Sequence, residues 1–186
     1  VSDFDDIGKN HWAYEPVMYL RQKGIMEGNN NCVRPNDFIT RGEAVKIIVL
    51  AFNITSEQKT SHFTDAKGKW WEEYAAIAAA KGIVNGIDAD TFDGESIIGR
   101  EMMSVMIKRP LDYSGIDFEY INADSNFKDK ANISEYAYDA TNSLYRMGIV
   151  SGMGNGNFAP AEKLTRSQAA QFLFNVLIKT DTEVTE

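Results

Sequence analysis

Three pentapeptides of the form G-I-x-x-G, at Gly24–Gly28, Gly82–Gly86 and Gly148–Gly152, recur at spacings of 58 and then 66 residues. A chain that returns to one pattern at such a period is built from copies of a single supersecondary unit, and these copies must pack on one another to bury their apolar faces. Twelve positions ahead of each first glycine stands an aromatic residue, Trp12, Trp70 or Tyr136, at the start of a stretch with helical spacing. Ahead of that lie Phe4 with Asp6, Phe63 with Asp65, and Phe127 with Asp129, each pair in the form F-x-D. Behind each pentapeptide an apolar residue and turn formers (VRPND, FDGES, FAPAE) lead into a second helix. The unit reads F-x-D, helix, G-I-x-x-G, loop, helix. Its copies occupy residues 1–58, 59–122 and 123–180, followed by a polar tail at 181–186 that suggests a linker.

Much of this pattern has a conformational explanation. The first glycine of each pair suits the left-handed residue that ends a helix, and the isoleucine after it would pack back on that helix. The phenylalanine of F-x-D reads as core, and the aspartate as the cap of a turn or of the following helix. In AAIAAAKGI the alanines permit close approach, so the helix ending near Ala80 is expected to be buried on more than one side.

The second helices pose a question. In ITRGEAVKII, Thr40 and Glu43 have the spacing of a capping box, and Ala44, Ile47, Ile48, Ala51 and Phe52 form one apolar face. Arg41 then falls in the first turn, where the helix dipole disfavours a cation by about 0.3–1 kcal/mol. The combination returns at Thr165, Arg166 and Gln168, so the arginine serves a repeated contact, a repeated ligand or both. The middle copy, SIIGREMMSVMIKRP, allows two registers. Matching Glu101 to Glu43 keeps Met102, Val105 and Met106 on the apolar face but leaves Gly99 in the arginine's place, with Arg100 about 100° round the helix. Matching Arg100 to Arg41 puts Met102 in the glutamate's place. The preserved face favours the glutamate register, and Pro110 is expected to end this helix early, ahead of a longer polar bridge.

Charge and composition exclude several functions. A net charge of −8 opposes general nucleic-acid binding. The single Cys32 removes any intrachain disulfide and any multi-cysteine zinc site. No apolar run is long enough to insert in a membrane, and the start VSDFDD does not read as a signal peptide. Asp88–Gly94 (DADTFDG) has Phe92 and Asp93 where a calcium loop needs an oxygen ligand and a glycine, so it reads as the loop before a helix. With His11 and His62 the only histidines and no nucleophile motif or distinctive acidic pair, catalysis is not expected. No cofactor or metal is expected either. Asn53-Ile54-Thr55 and Asn132-Ile133-Ser134 fit a glycosylation pattern that is frequent by chance.

At the F-x-D openings, HWAYEPVMYLRQKGIMEG, the three G-I-x-x-G segments, ITRGE and LTRSQ, the chain resembles the S-layer homology family in its arrangement of three tandem modules. The resemblance runs from Phe4 to about Ile178. It implies an all-α fold of three helix-loop-helix modules, a pseudo-threefold trimer around a central three-helix bundle with grooves between modules. It also implies an extracellular module that attaches an exported or S-layer protein non-covalently to a bacterial secondary cell-wall polysaccharide, often one with pyruvylated N-acetylmannosamine. Under it, Arg41 and Arg166 would clamp a ketal carboxylate with help from free backbone N–H groups at the helix start. Arg100 would serve a weaker groove. Trp12 and Trp70, with Tyr136 in the third copy, would offer flat surfaces to sugar rings. Asp6, Asp65 and Asp129 would bond hydroxyls, while Glu27 with Gly28, Asn85 with Gly86 and Ser151 with Gly152 would line the grooves beside Glu43 and Gln168. S-layer neighbours are a further possible partner, and the competing reading is a helical-repeat scaffold that binds proteins.

Overall fold

The computed structural model describes residues 2–116 and 118–183. Six α-helices carry it: α1 (Tyr14–Gln22), α2 (Arg41–Ala51), α3 (Glu72–Ala80), α4 (Arg100–Ser114), α5 (Glu135–Arg146) and α6 (Arg166–Glu183). Among the described residues there is no strand, only isolated bridges between loops, as an all-α fold requires. Helix α6 takes in the first residues of the polar tail, while residues 184–186 lie outside the described residues.

The first helix of each repeat closes in one way. Gly24, Gly82 and Gly148 adopt φ of 70°, 68° and 71°. The following isoleucine N–H reaches back to the carbonyl five residues earlier, Ile25 to Leu20, Ile83 to Ala78 and Ile149 to Leu144, at 2.9, 2.9 and 2.8 Å. This satisfies carbonyls that the helix end would leave open and folds each isoleucine into the core. The second glycine answers to space: a β-carbon on Gly28 would lie 2.6 Å from both the Cys32 carbonyl oxygen and the Phe4 ring. Phe63 and Phe127 lie against Gly86 and Gly152 in the same manner.

The F-x-D aspartates fold the loop that follows. Asp6 accepts the Val33 and Arg34 N–H groups at 2.8 and 2.6 Å; Asp65 accepts those of Phe92 and Asp93, and Asp129 those of Phe158 and Ala159, all at 2.8 Å. Arg34, Asp93 and Ala159 take φ of 57°, 61° and 59°, a left-handed geometry that costs a residue with a side chain. Two charge-assisted bonds per carboxylate offset that cost and press Val33, Phe92 and Phe158 into full burial.

The helices do not pair within their own repeat. The main contacts are α2 with α3, α4 with α5, and α6 with α1, so each packed pair joins the second helix of one repeat to the first helix of the next. The last pair brings the end of the chain back to its beginning. Helix α2 also packs on α4 and α6, and bridges between Phe38 and Thr165, Thr40 and Ile97, and Gly99 and Lys163 gather the three second-helix N-termini. The alanine-rich α3 is buried at Ala75, Ala76, Ile77 and Ala78 against this frame.

Two expectations for the middle repeat are corrected. Helix α4 runs through Pro110 to Ser114 and ends at Gly115 with φ 68°. A proline there sacrifices one backbone bond, and its buried ring packs in the core in exchange. The register is also the arginine one. Gly99 takes the extended N-cap position of Thr40, and the Arg41, Arg100 and Arg166 N–H groups donate in turn to the carbonyls of Ser96, Glu162 and Asp37. Periodicity failed to decide because Met102 to Ile107 is apolar almost throughout, and in the arginine register Met103, Met106 and Ile107 are the buried face.

Candidate functional site

Because the repeats interlock, the three arginines lie at seams. Arg41 Nη2 donates to the Asn85 carbonyl at 2.5 Å, Arg100 Nη2 to that of Ser151 at 2.7 Å, and Arg166 Nη2 to that of Glu27 at 3.2 Å. The order is first repeat to second, second to third, and third back to first. Each acceptor is the residue before the second glycine of G-I-x-x-G. Arg100 and Arg166 also give Nε to the Phe158 and Val33 carbonyls at 2.8 and 2.7 Å. The side chain that looks misplaced at a helix start therefore holds the next repeat's loop, a contact that spacing did not reveal.

All three arginines are buried, with 7%, 4% and 6% of Arg41, Arg100 and Arg166 exposed. Burial is the main cause that pulls each guanidinium below the ordinary arginine value. Glu43 opposes that shift at Arg166, and Asp93 opposes it at Arg41. Arginine stays charged regardless, so each seam contains a cation with a depleted water shell.

The backbone N–H groups expected to assist them are taken. At α2, Arg41 and Gly42 donate to the carbonyls of Ser96 and Gly94, and Glu43 donates to Thr40 Oγ1. At α4, Glu101 donates to Pro160, and at α6, Ser167 donates to Pro35. Apart from the third N–H of α4, which Gly99 has no side chain to cap, an anion at these seams meets guanidinium rather than helix N–H groups. The capping boxes themselves form as expected, with Glu43 on Thr40 N–H at 3.1 Å and Gln168 on Thr165 N–H at 2.9 Å.

Two grooves open along the seams. A groove of about 340 Å³ between the first and third repeats brings together Glu27, Gly28, Glu43, Lys46, Trp70 and Arg166. A second, of about 390 Å³, brings together Arg41, Asn85, Gly86, Met102, Arg109 and Tyr136, with Val105, Met106 and Ile87 as apolar wall. Each groove thus takes its loop and helix from one repeat, its arginine from the preceding repeat and its aromatic from the following one. The third seam joins Arg100 to Ser151, with Gly152, Gln168 and Trp12 at the matching positions. Trp12, Trp70 and Tyr136 are 58%, 56% and 55% exposed, which removes them from the core.

Other expected site residues have different work. Both oxygens of Asp6, Asp65 and Asp129 already accept loop N–H groups, so these residues shape the loops and are absent from the lining of both grooves. Glu101 sits where the first repeat has Gly42; it accepts from Ser134 N–H and O–H at 2.9 and 2.8 Å and from the Tyr136 hydroxyl at 3.4 Å. Its proximity contributes, after burial, to raising the Tyr136 phenol above its ordinary value. Lys46, Arg34 and Arg109 were missed. None recurs at its helix or loop position, so repeat comparison gives them no signal.

The fold and its seams define an all-helical tandem-repeat module with ligand-sized grooves between repeats, each containing a buried arginine and an exposed aromatic. A family model for the S-layer homology domain matches residues 3–45, 62–101 and 126–170, one segment in each repeat. The chain belongs to the S-layer homology family, whose domains anchor S-layer and other surface proteins to the cell wall and are not themselves catalytic. That membership assigns it to the cell surface or wall, and no described helix is long and apolar enough to cross a membrane. It is similar to part of an amylopullulanase of Thermoanaerobacterium thermosulfurigenes, 30% identical over 178 residues that make up 95% of this chain and 10% of that protein. The exoglucanase XynX of Acetivibrio thermocellus is 29% identical over 180 residues, 96% of this chain and 16% of its own length. An S-layer protein of Bacillus licheniformis is 28% identical over 173 residues, 91% of this chain and 19% of its own. The chain therefore spans between a tenth and a fifth of these relatives.

Proposed function

We propose that this chain fastens an exported or S-layer protein to the wall by binding an anionic, pyruvylated secondary cell-wall polysaccharide in the grooves between repeats. The observation that carries this reading is the recurrence, at each seam, of a buried arginine beside a G-I-x-x-G loop, with an exposed aromatic side chain brought to both described grooves from a further repeat. A pyruvyl ketal carries a carboxylate, and a guanidinium offers it two parallel donors. The aromatic face covers the apolar side of a sugar ring, and the loop backbone at Glu27 and Gly28 or Asn85 and Gly86 is within reach of hydroxyls. Repetition adds avidity: a chain held weakly in two grooves dissociates far more slowly than one held in either. The three copies over 1–58, 59–122 and 123–180 are in this reading three contributors to shared sites rather than three independent binders.

The test is calorimetric titration of the chain with purified wall polysaccharide, before and after chemical removal of its pyruvate. Binding that is lost with the pyruvate supports the carboxylate clamp. Equal binding to both polymers refutes it, and no binding to either turns the search to the protein-scaffold reading.

A further inference from the structure

The two described grooves differ in how their cations are balanced. Around Arg166, Glu43 Oε1 accepts from Arg166 Nη1 at 2.7 Å and from Arg34 Nη2 at 2.9 Å, and Lys46 pairs with Glu27 at 2.5 Å. Each cation there faces a carboxylate. In the other groove Met102 occupies the place of Glu43. Arg41 Nη1 consequently meets only the Met102 sulfur at 3.8 Å, and its Nε is buried with no acceptor. Arg100 and Arg166 both satisfy that same nitrogen on a loop carbonyl. A second cation, Arg109, reaches the same groove from α4, where its Nη1 donates to the Ile83 carbonyl at 2.9 Å. Among the described residues no acidic side chain lines this groove; the carboxylates whose charge reaches Arg41, Asp93 and Asp65, lie outside its lining, and its wall is the apolar surface of Met102, Val105, Met106 and Ile87.

We propose that this groove is the charge-selective subsite of the module, that Arg109 is its specificity-determining residue, and that Arg41 and Arg109 together receive a sugar carboxylate whose apolar substituent lies against the methionines. The proposal rests on the polysaccharide reading above and adds a ranking: the Arg166 groove, where three cations share two carboxylates, discriminates less by ligand charge. A buried guanidinium with an open donor gains more from an incoming carboxylate than one already paired. The second cation raises the local potential further, and the low exposure of Arg41 limits screening by salt.

A structural role alone for Arg109 has a built-in control. Asn175 stands at the equivalent position of α6 and donates Nδ2 to the Ile149 carbonyl at 2.9 Å, so the tether to the loop needs no charge. Arg109→Asn therefore keeps the tether and removes the cation. Met102→Glu places a carboxylate where Glu43 shows that one fits.

The wild-type chain, Arg109→Asn and Met102→Glu are each titrated with pyruvate-bearing wall polysaccharide and with the pyruvate-stripped polymer, at low and high salt. The expected result is a loss of about five- to tenfold in affinity for the pyruvate-bearing polymer in Arg109→Asn, with a shallower salt dependence, and at least as large a loss in Met102→Glu. Arg109→Asn is expected to keep the wild-type urea midpoint and Met102→Glu to raise it through an ion pair with Arg41, so the quantity read in each variant is the ratio of its affinities for the two polymers. Wild-type affinity and salt slope in Arg109→Asn would overturn the proposal, as would tight binding by Met102→Glu. A wild-type chain that ignores pyruvate would instead overturn the polysaccharide reading, so the two failures separate.

Discussion

Removing the Arg100 side chain tests the interlocked frame most directly. Two donors of Arg100 end on backbone carbonyls, Phe158 at 2.8 Å and Ser151 at 2.7 Å, and the guanidinium lies 4.9 and 5.3 Å from the Phe158 and Phe172 ring centres. A hydrogen bond from a charged donor is worth about 1.5–3 kcal/mol net, and a carbonyl left dry costs about 1–3 kcal/mol. Ser151 is exposed, so water can replace the lost donor there, whereas Phe158 is fully buried and its carbonyl is less easily rehydrated. Relief of the buried charge returns part of the loss. Arg100→Ala should therefore destabilise the chain by about 3 kcal/mol, or roughly 6–12 °C in Tm for a chain of this size. Urea and thermal unfolding followed by far-ultraviolet circular dichroism give both numbers. In the alternative register Arg100 would project from the helix about 100° away and its loss would cost under about 0.5 kcal/mol. A variant with the wild-type midpoint would refute the seam and the register together.

Other substitutions separate frame from site. Arg41→Ala should cost less stability than Arg100→Ala, about 1 kcal/mol, because its only carbonyl bond goes to Asn85 and its open Nε is already a penalty; the same unfolding curves decide the order. Trp70→Ala should leave the midpoint within about 0.5 kcal/mol, since over half of the side chain is in solvent, while weakening polysaccharide affinity by about tenfold in titration. Gly28→Ala should cost about 1–3 kcal/mol, because its β-carbon meets a backbone carbonyl that cannot swing away as a side chain can; Gly24→Ala has open space around it and should show only the smaller penalty of a left-handed backbone. A Gly28→Ala chain with the wild-type urea midpoint would refute that packing.

Local chemistry made the elements legible, and topology stayed hidden. The capping box at Thr40 and Glu43, the left-handed glycines at helix ends and the buried F-x-D phenylalanines each depend on neighbours a few residues away, so their spacing announces them. The pairing of α2 with α3 rather than with α1 depends on contacts between repeats, and a sequence repeat looks the same whether its halves pack together or on their neighbours. For the same reason the aspartates, whose bonds end on N–H groups 27 to 30 residues away, could be read as turn caps but not assigned to a particular loop. Arg109 lay further out of reach, because Leu50 and Asn175 share its helix position and a residue that appears once leaves no pattern.

The opening conflict at Arg41 resolves through this topology. A cation in the first helical turn is mildly unfavourable in isolation, yet here that turn is where three linkers converge and where the carbonyls of each accept from helix N–H groups. Those carbonyls, and the loop carbonyls that receive the guanidinium, put negative dipole ends around the arginine and supply what the helix dipole withholds. The same geometry constrains binding. An arginine that must stay bonded to a loop cannot swing out to meet a polymer, so the ligand has to come to a preformed donor. Under the polysaccharide reading, the charge at each seam is set by the residue that the following repeat's second helix places there, Glu43 for Arg166, Met102 for Arg41 and Gln168 at the matching position for Arg100. A glutamate closes the charge, a glutamine leaves it uncompensated behind its own cap, and a methionine leaves it open beside an apolar wall. One frame thus carries three seams of different electrostatics without any change in the fold.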